Sequence, residues 1–198
     1  MRTLLIIAAV SAPVAAWAQA TPAAVPFTCE SVAIVPNEMH STAPLMQARI
    51  SMASCAAEAR MGALTLVDDD VSMQLLASSI EPSLATLDDV AANGDPRWQL
   101  LAAHARAEIY LGMVARMRAT IPPIPPGERE QLLVNDLADR AERHAVLEPK
   151  LRAWIDQADR NLRLTLQIAN ASASAMQDDA CAIAARDAQE QLAIARTP

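Results

Sequence analysis

The chain has 198 residues, 53% hydrophobic and 3% aromatic, with a formal net charge of −7. That acidic balance argues against nucleic acid and anionic membranes as partners. Four glycines, one Phe, one Tyr and three Trp leave too few turn and strand formers for a sheet, while Ala, Leu, Met, Gln, Glu and Arg favour helices, so the expectation is an all-α protein.

Residues 1–20, MRTLLIIAAVSAPVAAWAQA, have the three parts of a secretory signal peptide. Arg2 gives the positive start, and Leu4 to Val10 an apolar core too short to span a bilayer. Ala16-Trp17-Ala18 or Ala18-Gln19-Ala20 offers the small-x-small cleavage site. No cysteine directly follows the apolar core, so no lipoprotein anchor is indicated. No later run reaches the ~20 apolar residues of a transmembrane helix, so no integral membrane segment is expected after cleavage. Loss of Arg2 shifts the charge from −7 to −8. The product is expected to be exported, periplasmic or secreted, as a single helical domain at 44–198 behind an irregular arm.

That arm, 21–43, is punctuated by Pro22, Pro26 and Pro36 and keeps no period. A first helix is predicted from Pro44 to Met61, with Leu45, Ala48, Met52, Cys55, Ala56 and Ala59 as its apolar stripe and Gly62 as its close. Asp68-Asp69-Asp70 then caps a second helix, Val71 to Ile80. The triplet lacks the alternating ligands, central Gly and distal Glu of an EF-hand. Glu81-Pro82 opens a third helix with Leu84, Leu87, Val90 and Ala91 on its buried face, closed by Asn93-Gly94.

The best-marked helix follows, Asp95 to Ile121. Asp95 is the cap, Pro96 the first helical residue, and Trp98, Leu101, Ala102, Ala105, Ile109, Met113 and Met117 one stripe. Arg106, Glu108 and Arg116 fall off the stripe and should face water. This helix is predicted to be central, with Trp98, Ile109 and Met113 buried. Its Trp98, Ala102, Ala105, Tyr110 and Gly112 loosely resemble a tetratricopeptide-type helix, over one repeat at most. The resemblance implies a helical hairpin and no family.

IPPIPPG at 121–127 is read as a stiff connection. A helical tract runs from Glu128 to Ala171, with Leu133, Leu137, Ala141, His144, Leu151, Trp154, Ile155, Ala158, Leu162 and Leu166 on one face. A break or sharp kink is expected at Leu147 to Lys150 because of Pro149. A last helix, Ala175 to Ala195, carries Met176, Ala180, Ile183, Ala184, Leu192 and Ala195. The sum is an antiparallel bundle of about five to seven helices.

Three cysteines remain after export: Cys29, Cys55 and Cys181. An oxidising compartment favours one disulfide and one leftover thiol. Cys29–Cys55 would close a short loop and anchor the arm; Cys55–Cys181 would staple the first helix to the last. His104 and Glu108, four apart, are candidate metal ligands, as spacing alone also makes His144 and Glu148. HExxH needs a second His on that face, so no metal site is assigned and His104/Glu108 reads as a surface pair. Met39, His40, Met46 and Met52 are soft ligands that would suit Cu(I), but Met at helical spacing is ordinary core filler. Leu164-Thr165-Leu166-Gln167 is similar to the LTxxQ signature of a family of exported helical stress chaperones, with Gln one place early.

No nucleophile elbow, phosphate loop or catalytic carboxylate pair is present, and no cofactor is expected. The sequence points to an exported binding or scaffolding protein of the cell envelope, with another envelope protein as its partner. The alternative is a periplasmic metal-binding or envelope-stress protein.

Overall fold

The computed structural model describes residues 43–121 and 134–194. The leader, the arm up to residue 42, most of the Pro-rich connection and the last four residues lie outside them. Five α-helices are described: α1 (Ala43–Ala63), α2 (Asp70–Ala91), α3 (Pro96–Arg118), α4 (Val134–Ala171) and α5 (Asp179–Ile194). A 3₁₀ turn, Ala175–Gln177, precedes α5. The all-α bundle is as expected.

Contacts between helices fix their directions. Arg49 meets Asp89, and Arg60 reaches the Ser79 carbonyl, so α1 and α2 run antiparallel. Only residues 92–95 join α2 to α3, and Arg106 bonds Asp88 back across that turn. Arg118 grips Glu148, while Gln99 shares a groove with Ile168, so α3 and α4 are antiparallel. Cys181 lies by Arg97 and Asp187 by His104, so α5 runs parallel to α3.

α3 touches all four other helices. Asp95 starts it as read: its Oδ1 accepts from the Arg97 backbone N–H at 2.9 Å, and Pro96 follows. All seven residues of the predicted stripe are buried, and so are Leu100, Ala103, Ala107 and Val114. A helix packed on several sides needs more than one apolar face. Arg106 is half-buried instead of fully solvated, drawn down by Asp88.

Two proline expectations fail. α2 is one helix from Asp70 to Ala91 with Pro82 inside it, and α4 runs unbroken through Pro149. In each, the buried stripe stays in phase across the proline. α2 buries Ser72, Leu76, Ile80, Ser83, Leu87 and Val90. α4 buries Leu147 and Leu151 on either side of Pro149, then Ala158 and Leu162. Ion pairs hold both flanks of Pro149 as well: Arg143–Asp68 and Glu148–Arg118 before it, Lys150–Asp70 after it. Tertiary contacts along the whole length outweigh one missing hydrogen bond.

The stripe of α1 also differs from expectation. Met46, Ile50, Ala53, Ala57 and Met61 face the core, whereas Met52 and Ala59 are exposed. α1 has small or apolar residues on nearly every side, so its sequence offers little contrast between faces. On α5 the buried residues are Cys181, Ala184, Ala185, Ala188 and Leu192, and the expected Ile183 is 64% exposed. The acidic triplet caps α2: Asp69 Oδ1 accepts from Ser72 N–H at 2.7 Å, while the Ser72 hydroxyl accepts from Val67 N–H. Hydrogen bonding from Ser72 holds the Asp69 carboxyl below its ordinary range. Asp68 is held low by Arg143.

Candidate functional site

The chemistry-bearing side chains meet where α5 lies along α3. Small residues make the close approach possible. Ala107 of α3 and Ala188 of α5 are both fully buried, packed with Leu162 of α4 and Leu192. His104 and Glu108 flank Ala107, and Asp187 and Gln191 flank Ala188. Each pair is spaced i, i+4, so each occupies one face of its helix. Asp178 fixes the start of α5 by accepting from the Ala180 and Cys181 N–H groups.

The resulting cluster is tight. His104 Nε2 is 2.8 Å from Asp187 Oδ2 and 4.0 Å from Glu108 Oε1. Gln191 Nε2 donates to Glu108 Oε1 at 2.6 Å and to Asp187 Oδ2 at 2.8 Å. One ligand atom each from His104, Glu108 and Asp187 all lie within 4.8 Å of one another. The His104 side chain is 19% exposed and the carboxylates about half, so the cluster opens to solvent on its acidic side. Imidazole and carboxylates in this arrangement suit a divalent metal. A His–Asp pair is also two-thirds of a hydrolytic triad, but no Ser, Thr or Cys side chain bonds His104 among the described residues.

His104 and Glu108 do not stand alone as a pair: α5 brings Asp187 and Gln191 to them. His144 does not join the cluster. Its neighbour Glu148 is gripped by both Arg118 Nε and Nη2, at 2.8 and 2.7 Å, which holds its carboxyl below the ordinary range. Sequence reading missed Asp187 and Gln191. The one available signal was their own i, i+4 spacing, and it carries no weight until the α3–α5 pairing is known.

Two concave regions border these elements. A cleft of about 520 Å³ lies between α1 and α3, lined among others by Glu58, Met61, Glu108, Gly112 and Arg116. Glu108 thus belongs both to the cluster and to the cleft. A groove of about 280 Å³ lies between α3 and α4, with Ala91, Ala103, Leu164 and Ile168 as apolar walls and Gln99 and Arg106 as polar ones. Arg106 Nη1 pairs with Asp88, but its Nε is buried and has no partner.

Cys181 is a free, buried thiol, so the Cys55–Cys181 staple is not formed. Cys29 lies outside the described residues, as do Met39 and His40. Met46 is in the core while Met52 is on the surface, so these two do not converge as a soft-metal site. No described helix is long and apolar enough to cross a membrane. Comparison with protein-family models, curated proteins and solved structures gives no match.

Proposed function

We propose that the chain is an exported, non-enzymatic binding protein of the cell envelope, whose α3–α4 groove holds a segment of another envelope protein. The observation that carries this is the buried, unpartnered Nε of Arg106, a residue that lines the groove beside the apolar Ala91, Ala103, Leu164 and Ile168. A buried donor without an acceptor costs about 1–3 kcal/mol, which a partner's carbonyl or carboxylate would recover once the Arg106 side chain turns its Nε toward the groove. The groove is smaller than the roughly 300–1,000 Å³ of small-molecule pockets. Leu164, 43% exposed at its wall, would pack on an apolar side chain of that segment. Export rests on the leader-like residues 1–20.

A photo-crosslinking residue at Leu164 tests the reading in cells. The expected outcome is a discrete adduct with one envelope protein, lost on Arg106→Ala. No adduct, or one confined to the chain's own residues 21–42, contradicts it. Mass analysis of the mature N-terminus should find cleavage after residue 18 or 20.

The same reading includes a Cys29–Cys55 bridge. Cys181 is free, which leaves Cys29 and Cys55 as the remaining pair. Thiol counting in denaturant should give one group without reductant and three with it, matching the three cysteines of the chain. Three in both cases would rule out the bridge.

A further inference from the structure

We propose that His104, Glu108 and Asp187 bind a divalent metal ion of the zinc class, with the Gln191 amide oxygen as fourth ligand. The proposal is independent of the α3–α4 groove. It starts from donor chemistry. One imidazole nitrogen and two carboxylates suit borderline divalent ions and disfavour calcium, which takes six to eight oxygens. Two negative charges match a dication. Among the described residues, Glu108 and Asp187 form no ion pair with any Arg or Lys.

Geometry agrees. Zinc–ligand bonds of ~2.1 Å place tetrahedral donor atoms roughly 3.4 Å apart. The 2.8 Å and 4.0 Å separations from His104 Nε2 straddle that spacing. Small rotations of two partly exposed carboxylates would even them out. The donors come from two parallel helices clamped by buried alanines, as bundle metal sites do.

Gln191 supplies the second observation. Its Nε2 bridges the two carboxylates, while its buried Oε1 has no hydrogen-bond partner. Turning the amide over would exchange the two Nε2 bonds for an Oε1 placed among the carboxylates, where a bound cation would take over their charge. Without a cation that position is repulsive; with one, it completes a four-ligand set. The matching His144/Glu148 pair on α4 is a built-in control, since Arg118 already occupies its carboxylate.

The test is calorimetric titration of the tag-free protein with zinc chloride, and in parallel with calcium chloride. One equivalent of zinc should bind with a micromolar or lower dissociation constant, and calcium should give no binding at the same concentrations. His104→Gln and Asp187→Asn should each weaken zinc about tenfold or more. Gln191→Glu should tighten it, and His144→Gln should leave it unchanged. If His104→Gln loses helical signal, Asp187→Asn carries the test, because that side chain is 42% exposed. Absence of zinc binding overturns the proposal. So does an affinity indifferent to Asp187→Asn, a loss on His144→Gln, or a preference for calcium.

Discussion

Cys181 has no exposed surface, and its Sγ lies 3.8 Å from the Arg97 carbonyl oxygen. Burial, reinforced by the Asp178 carboxylate, pushes its thiol up to about 11. The folded protein should therefore react with a thiol reagent at pH 8 only as fast as it opens, and unfolded protein at once. The folded state binds this proton more tightly than the unfolded state. The contribution to stability is thus complete below the ordinary value of 9.0 and is lost as pH rises from there through about 11. Denaturant midpoints measured across that interval should fall. A flat profile there would show that the thiol is open to solvent. Asp95 works in the opposite direction. Arg97 holds its carboxyl below the ordinary 3.8, so its contribution is present above that value and is lost as pH falls through the depressed one. Asp95→Ala should cost about 1 kcal/mol at neutral pH through loss of the cap. A smaller cost near pH 2 would fit that sign, and a constant one would not.

At the scale of the element, α2 and α4 tolerate their interior prolines. Pro149 is exposed on α4, and its missing N–H leaves the carbonyl four residues earlier without its helical partner. Pro149→Ala should raise stability by about 2 kcal/mol, the interior-proline cost less the entropy released to the unfolded chain. A lower melting temperature would mean that a proline-induced bend helps α4 dock. Gly112 tests the α1–α3 contact in the same way. A Cβ there would meet the Met61 Cε at 3.2 Å, the movable end of a flexible side chain. Gly112→Ala should therefore be neutral or stabilising by up to about 1 kcal/mol. A loss above that would show that Met61 cannot yield.

These elements also show what the sequence could disclose. α3 was legible because Asp95, Pro96 and Gly94 are local signals, and Gly94 does adopt the left-handed φ of 84° that ends α2. The continuity of α2 and α4 was not legible. A proline's cost is local, whereas the ion pairs that help outweigh it come from residues 18 to 80 positions away. The face of α1 was hidden for a different reason, since alanine and methionine fit a core or a surface equally well. His104 and Glu108 could be named from spacing on one helix. Asp187 and Gln191 could not, because only the parallel seating of α5 on α3 brings them there.

For the molecule as a whole, five helices enclose a core that reaches into every one of them, and α3 serves as the common partner. The surface left over is acidic, and eight of the described carboxylates pair with Arg or Lys. The α3–α5 seam departs from that pattern: its two carboxylates converge on an imidazole and an amide. An ion held there would join α5 to the central helix and stabilise the fold by mass action. Thermal unfolding with and without zinc reads this directly. At a hundredfold excess over the dissociation constant, the gain of ~2.7 kcal/mol corresponds to a rise of roughly 5–10 °C. That full rise is expected in the unmodified protein and in His144→Gln, and a rise of half that or less in Asp187→Asn. No shift in the unmodified protein, or an equal shift in all three, would contradict a metal site at this seam.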